Sequence, residues 1–135
     1  MKYKNNPLNI RWNYRNKWKG LCGQRNGFCE FCHIRYGIRA AAYLLMRSYR
    51  FAGARTYAQL IKRWAPSSEN PTQKYIEFVC DRLHVFPFDE PKTRKQFAGL
   101  INALWWFEQG CPPDLCSQHI LEIINDFQIS PYGVK

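Results

Sequence analysis

The sequence predicts a mainly α single domain, with an irregular or β-hairpin N-terminal part followed by about five helices. Three observations lead there. A chain of 135 residues has room for one domain of ordinary size. Its 46% hydrophobic and 16% aromatic residues can build a core and exclude a disordered chain. From about Tyr36 onward, apolar residues recur at helical spacing between capping signals and Gly or Pro stops, whereas residues 1–34 lack that period. The domain is expected over residues 1–130, with 131–135 as a C-terminal tail.

In the first stretch, Asn6-Pro7 and then Gly20, Gly23 and Gly27 punctuate short aromatic pieces. Ile10-Arg11-Trp12 and Gly27 to Phe31 each read as a short strand or an ordered loop. Phe28 and Phe31 are an odd distance apart, so both cannot face one side of a regular strand without a bulge or turn between them. The first helix is expected from Tyr36 or Gly37 to Phe51, with Ile38, Ala41, Ala42, Leu45 and Tyr49 on its inner face and Gly53 as its stop. Thr56 to Gln59 is a capping box, and Pro66 closes the short helix behind it. Thr72 is expected to cap a third helix with Tyr75, Ile76, Val79, Cys80 and Leu83 inward. Phe86 to Pro91 is a rigid loop. Thr93 to Gln96 is a second capping box, opening the most apolar helix (Phe97, Leu100, Ile101, Leu104, Trp105), which ends at Gly110. Asp114 is expected to cap a last helix carrying Ile120, Leu121, Ile124 and Phe127.

The net charge of +10 is unevenly placed. Residues 1–67 hold 14 Lys and Arg against one acid, Glu30, for a net of +13, and residues 68–135 carry a net of −3. Such polarity suits a polyanionic partner for residues 1–67, or a solvated basic face encoded first. No apolar run reaches the roughly 18 residues of a transmembrane helix. The basic start has no apolar stretch behind it, so no signal peptide is visible. The expected location is then the cytoplasm of the cell that makes the chain.

Cys29-Glu30-Phe31-Cys32-His33 matches the string for covalent haem attachment, a chemistry that requires export. Cys22, Cys29, Cys32 and His33 also offer zinc-type ligands, but at irregular spacing and without a second CxxC. Free cysteines acting as small hydrophobes account for the pattern better, so no metal and no cofactor is expected. Glu69 lies in a polar loop between Trp64 and Tyr75, beside Asn70. An acid flanked by aromatics suits sugar cleavage, because desolvation keeps a proton available for a leaving oxygen. An acid there equally suits the N-terminus of the helix opened by Thr72. Trp12, Tyr14 and Trp18 alternate with Arg11, Arg15, Lys17 and Lys19, a pattern that serves bases, sugar rings or a core edge.

Several words taken together resemble a family of small phage and prophage virion structural proteins. They are Asn5 to Arg11, Trp18-Lys19-Gly20, Gly27 to Phe31, Gly37 to Ala41 with Leu44, Leu45 and Tyr49, and Arg63 to Pro66 with Glu69, Asn70, Thr72 and Tyr75. The likeness covers about residues 5–80. In that pattern the aromatics of Phe28 and Phe31 recur, and the cysteines at 29 and 32 do not. Trp18, Phe28, Phe31, Gly37 and Ala40 are then structural positions. The layout is also similar, more faintly, to lysozyme-like bacterial glucosaminidases, whose general-acid Glu sits on a helix upstream of the Asn-rich segment. Only four residues precede Asn5 here, so that acid transfers to no position.

The resemblance implies a lysozyme-like domain in a virion-associated protein that engages or cleaves peptidoglycan at the cell wall. Its partners are then peptidoglycan glycan or other virion proteins. Glu69 is the catalytic candidate, and Asn6, Asn9, Arg11, Asn70 and Tyr75 form the candidate cleft. A purely structural virion component and a small basic nucleic-acid-binding protein are the alternatives.

Overall fold

The computed structural model describes residues 1–68 and 70–131. Two antiparallel strands, β1 (Leu21–Arg25) and β2 (Phe28–Phe31), form a hairpin. Asn26 and Gly27 both have positive φ, 55° and 82°, the pair of left-handed residues that a tight two-residue hairpin turn requires. The register slips between Leu21 and Gly23. Phe28 and Phe31 resolve their parity by facing opposite sides. Cys29 and Phe31 are fully buried, while Phe28 is half-buried and stacks on Tyr3 with ring centroids 4.4 Å apart.

Residues 4–12 run beside β2 as an irregular third strand. Phe31 N–H donates to Lys4 O, Cys29 N–H to Ile10 O and Trp12 N–H to Gly27 O, at 3.0, 2.9 and 2.8 Å. Asn6 holds this segment in shape. Its Nδ2 donates to Ile10 O (3.0 Å) and Cys29 O (2.8 Å), and its Oδ1 accepts from Ile10 N–H (2.9 Å), so a fully buried amide has its polar atoms satisfied.

Helix α1 comprises α-helical Ile34–Tyr43, a π-helical stretch Leu44–Ser48 and a last α-helical turn Tyr49–Phe51. It begins before the expected Tyr36, because His33 Nδ1 accepts from Arg35 N–H and caps it. His33, the histidine of the CxxCH string, thus serves as a helix cap. Gly37 lets the helix lie against the N-terminal segment, since a Cβ there would collide with the Asn5 carbonyl oxygen.

Helices α2 (Tyr57–Trp64), α3 (Thr72–Leu83), α4 (Arg94–Gln109) and α5 (Ser117–Asp126) follow. The capping boxes at Thr56/Gln59 and Thr93/Gln96 are both formed. Two expected caps differ. Thr72 is the first residue of α3, and its buried hydroxyl donates back to Ala65 O at 2.6 Å, tying α3 to the end of α2. Cys116, and not Asp114, occupies the cap position of α5 and makes no side-chain cap bond.

The core gathers around α4, which packs against α1, α3 and α5. Phe97, Leu100, Ile101 and Leu104 are fully buried there, with Ile38, Leu45, Leu60, Ile61, Val79 and Ile124. Burial of each such side chain contributes about 1.5–3 kcal/mol. The mainly α architecture with a small hairpin is thus the expected one. Among the described residues, no helix is long and apolar enough to cross a membrane. Most of the expected tail, residues 132–135, lies outside the described residues.

Candidate functional site

A cleft of about 540 Å³ opens between the N-terminal segment and the ends of α1, α2 and α4. Leu8 to Asn13, Asn16 and Phe28 supply one side, and Leu44, Tyr49, Arg63, Trp64, Pro66, Asn70 and Glu108 the other. Glu108 is the one carboxylate among the described lining residues.

The π-helical stretch shapes one wall. Tyr49 N–H donates to Leu44 O, an i to i+5 bond that widens the turn. Leu44 and Tyr49, which would diverge on an α-helix, both line the cleft as a result. Tyr49 meets Trp64 edge-on at 6.4 Å, and the Arg63 guanidinium stands 5.5 Å over the Tyr49 ring. Burial raises the Tyr49 phenol above its ordinary value, and the Arg63 charge partly opposes that. On the other wall Arg11 lies 4.9 Å over Phe28, Phe28 stacks on Tyr3, and Arg25 lies 5.1 Å over Tyr3. This four-layer stack of cations and rings stiffens an otherwise irregular segment.

Glu108 sits where α4 meets the cleft. Its Oε1 accepts from Asn9 Nδ2 at 2.7 Å, and its Oε2 accepts from the Tyr75 hydroxyl at 2.7 Å. Asn9 reaches it from a left-handed backbone (φ 54°), a conformation Asn tolerates better than most residues. Tyr75 comes from α3, almost fully buried and stacked on Phe107 at 4.0 Å. Burial first, then the charge and hydrogen bond of Glu108, drive the Tyr75 phenol far above its ordinary value, against a smaller opposing contribution from its bond with Trp64. The phenol therefore keeps its proton and presents it to the carboxylate. Next along the helix, Gln109 Nε2 donates to Pro7 O at 2.7 Å.

The structure brings Asn9, Arg11 and Asn70 together on the cleft wall. Tyr75 lies beneath them, joined to the cleft through Glu108 and Trp64. Asn6 lies behind the wall, enclosed by backbone partners, and reaches the cleft only through the segment it shapes. Glu69, the expected catalytic acid, lies outside the described residues.

Sequence reasoning passed over Glu108, although a signal was there. It follows Phe97, Ile101 and Leu104 at the spacing of the inner face of the most apolar helix, so a carboxylate falls where a core residue is due. The six cysteines form no disulfide with one another, four being exposed and two buried (Cys29 and Cys80), and no group of three or more His, Cys, Asp or Glu converges among the described residues.

The chain is 33% identical over 114 residues to "Protein P5" of Pseudoalteromonas phage PM2, covering 81% of this chain and 70% of that protein. It belongs to the Protein P5 family of phage proteins. No protein-family model matches it. Within this family setting, the cleft residues of both walls come from the N-terminal segment and from the helices that follow, so one cleft draws on most of the length of the P5-like chain.

Proposed function

We propose that this P5-family protein is a virion-associated protein whose lysozyme-like domain engages the glycan strands of peptidoglycan at the bacterial cell wall. The observation that carries the reading is Glu108, an acid held by Asn9 and Tyr75 in a cleft whose walls carry aromatics, Asn and Arg among aliphatic side chains. Sugars are bound by this combination: ring faces cover their C–H surfaces, while amides and guanidinium groups meet their hydroxyls. Trp12 and Trp64 supply the rings here, Asn13, Asn16 and Asn70 the amides, and Arg11 and Arg63 the guanidinium groups.

Cleavage of a glycosidic bond ordinarily takes two carboxyl groups, one giving a proton to the leaving oxygen and one acting on water or on the sugar itself. Glu108, with both oxygens accepting hydrogen bonds, suits the ionised role. Glu69, next in the chain to the cleft residue Asn70, is the proposed proton donor. If Glu69 does not serve, the cleft binds glycan without cutting it.

The test is sedimentation with purified peptidoglycan sacculi, together with turbidity loss of the sacculi. Wild type should co-sediment, Trp64→Ala should bind at least tenfold more weakly, and Glu108→Gln and Glu69→Gln should each abolish any turbidity loss. Turbidity loss unchanged in both Glu variants removes them from the chemistry. Absence of co-sedimentation by a folded wild type ends the glycan reading.

A second reading is a structural virion component. The bonds Asn9–Glu108 and Pro7–Gln109 favour it, because they pin the N-terminal segment to the end of α4 as a fastener would. In that case Glu108→Gln lowers the melting temperature, and sacculi retain neither protein.

A further inference from the structure

We propose that a second surface, centred on Phe127 and sharing no residue with the cleft lining, docks the phosphate backbone of duplex DNA. Three cations converge on one ring. The Arg35 and Arg39 guanidinium groups lie 4.9 and 5.5 Å from the Phe127 centroid, and the Lys19 ammonium lies 5.7 Å from it. None of these residues lines the cleft, so the proposal stands apart from the glycan reading.

The cluster is built and held. Arg35 and Arg39 are one turn apart on α1, about 6 Å along the axis. Lys19 is placed by the turn at Gly20, whose φ is 77° and where a Cβ would collide with the Tyr36 ring. Tyr36 in turn packs on Phe127 at 5.8 Å. The same helix line continues to Tyr43, with Arg39 at 5.9 Å and Arg47 at 5.6 Å from its ring.

Like charges gathered this closely repel one another, and among the described residues one acid, Asp126, is paired with the cluster of Lys19, Arg35 and Arg39, 3.5 Å from Arg35 and itself mostly exposed. A surface that keeps several cations together with so little compensation is relieved by an external anion. The Phe127 and Tyr36 rings are half-buried and cations stand over Phe127 and the exposed Tyr43, so the surface offers charge and planar donors. It offers no apolar wedge for a bilayer. Guanidinium groups repeating along a helix suit a repeating phosphate backbone, where each contact releases a counterion.

The experiment measures binding of the full chain to a labelled random-sequence duplex by fluorescence anisotropy over about 50 to 200 mM salt. Three proteins are compared: wild type, a cluster variant (Lys19→Gln, Arg35→Gln, Arg39→Gln), and a control variant (Lys62→Gln, Lys74→Gln, Lys95→Gln) that loses equal charge at exposed sites elsewhere. Two to three phosphate contacts predict that wild-type affinity falls over this range by about 10- to 40-fold more than that of the cluster variant. The control variant should keep the wild-type slope. A charge-keeping variant, Arg35→Lys with Arg39→Lys, should also keep most of it and guards against a folding defect in the cluster variant.

Equal loss of slope in the cluster and control variants would mean diffuse attraction by net charge and overturn the site. So would an unchanged slope in the cluster variant. Binding of wild type to phosphatidylglycerol vesicles but not to duplex would also overturn it, in favour of a lipid surface.

Discussion

Replacing Asn6 with Ala tests how the cleft wall is held. The side chain is fully buried, so no water stands ready to take over its three hydrogen bonds. After truncation, Ile10 N–H loses its acceptor, and an orphaned buried donor costs about 1–3 kcal/mol. Cys29 O loses a donor as well. Ile10 O fares better, because it still accepts from Cys29 N–H at 2.9 Å. With about 1 kcal/mol for the carbonyl contacts, the loss comes to about 3 kcal/mol. In a chain of this size that lowers the melting temperature by about 10 °C. Asn6→Asp keeps the acceptor for Ile10 N–H but sets a carboxylate against two carbonyl oxygens. Its folded form favours the protonated acid, so its stability is greatest below the ordinary Asp value of about 4 and falls as pH rises above it. The assay is thermal melting followed by circular dichroism at pH 7 and at pH 4. A loss of under 1 kcal/mol for Asn6→Ala refutes the view that this amide organises residues 4–12.

Four further outcomes follow from the packing. Gly37→Ala forces a Cβ against the Asn5 carbonyl oxygen, a backbone atom that has little room to yield, so it should cost about 3 kcal/mol by chemical denaturation; a change below 0.5 kcal/mol would show that the segment is free to move. Native protein at pH 8 should titrate four fast thiols with an aromatic disulfide reagent, since burial pushes Cys29 up from 9.0 to about 11 and also raises Cys80, and reaction of all six at one rate contradicts this. Because folding keeps the proton on Cys29, stability should decline as pH climbs from about 9 towards 11, and melts across that window check it. Phe86 and Phe88, stacked at 5.2 Å but 64% and 73% exposed, hold nothing in the core, so Phe86→Ser with Phe88→Ser should shift stability by no more than about 0.5 kcal/mol.

The helices were legible because each carries its own signals. Thr56 with Gln59 and Thr93 with Gln96 open two of them, and Gly110 at φ 72° closes one. Where a residue served a partner outside its own helix, the local signal misled. Thr72 has the right type for a cap, yet its hydroxyl turns back to Ala65 O. Asp114 lies too far ahead of Ser117, and Cys116 takes the position. The hairpin was written in Asn26-Gly27, the dipeptide best suited to a tight turn, but the irregular spacing around it obscured the strands. Asn9, Arg11 and Asn70 were recognisable as cleft candidates by residue type and resemblance. Glu108 showed itself only as a carboxylate on the inner face of its helix; its partners Asn9 and Tyr75, 99 and 33 residues away, leave no trace in that periodicity.

The bonds that make Glu108 a fastener also fit it for chemistry. A carboxylate offers about four lone-pair sites, and Asn9 and Tyr75 occupy one on each oxygen. The remaining sites can take a ligand hydroxyl or an attacking water while the group stays fixed. Tyr75 cannot relieve the carboxylate of its charge by giving up its proton, since burial and Glu108 itself hold that proton in place. The network therefore keeps a negative charge oriented in a cleft that also holds Arg11, Arg63 and several aromatic rings, at the junction of the N-terminal segment with α3 and α4. As a fastener the carboxylate accepts from both donors, whereas an amide at position 108 turns an NH2 group against Asn9 Nδ2 or the Tyr75 hydroxyl. A carboxylate is the better choice where positive charge must be stabilised or a proton accepted inside the cleft. Glu108→Gln separates the two demands: retained stability with lost action on sacculi assigns the charge to function, and lost stability with no action by wild type assigns it to the fold.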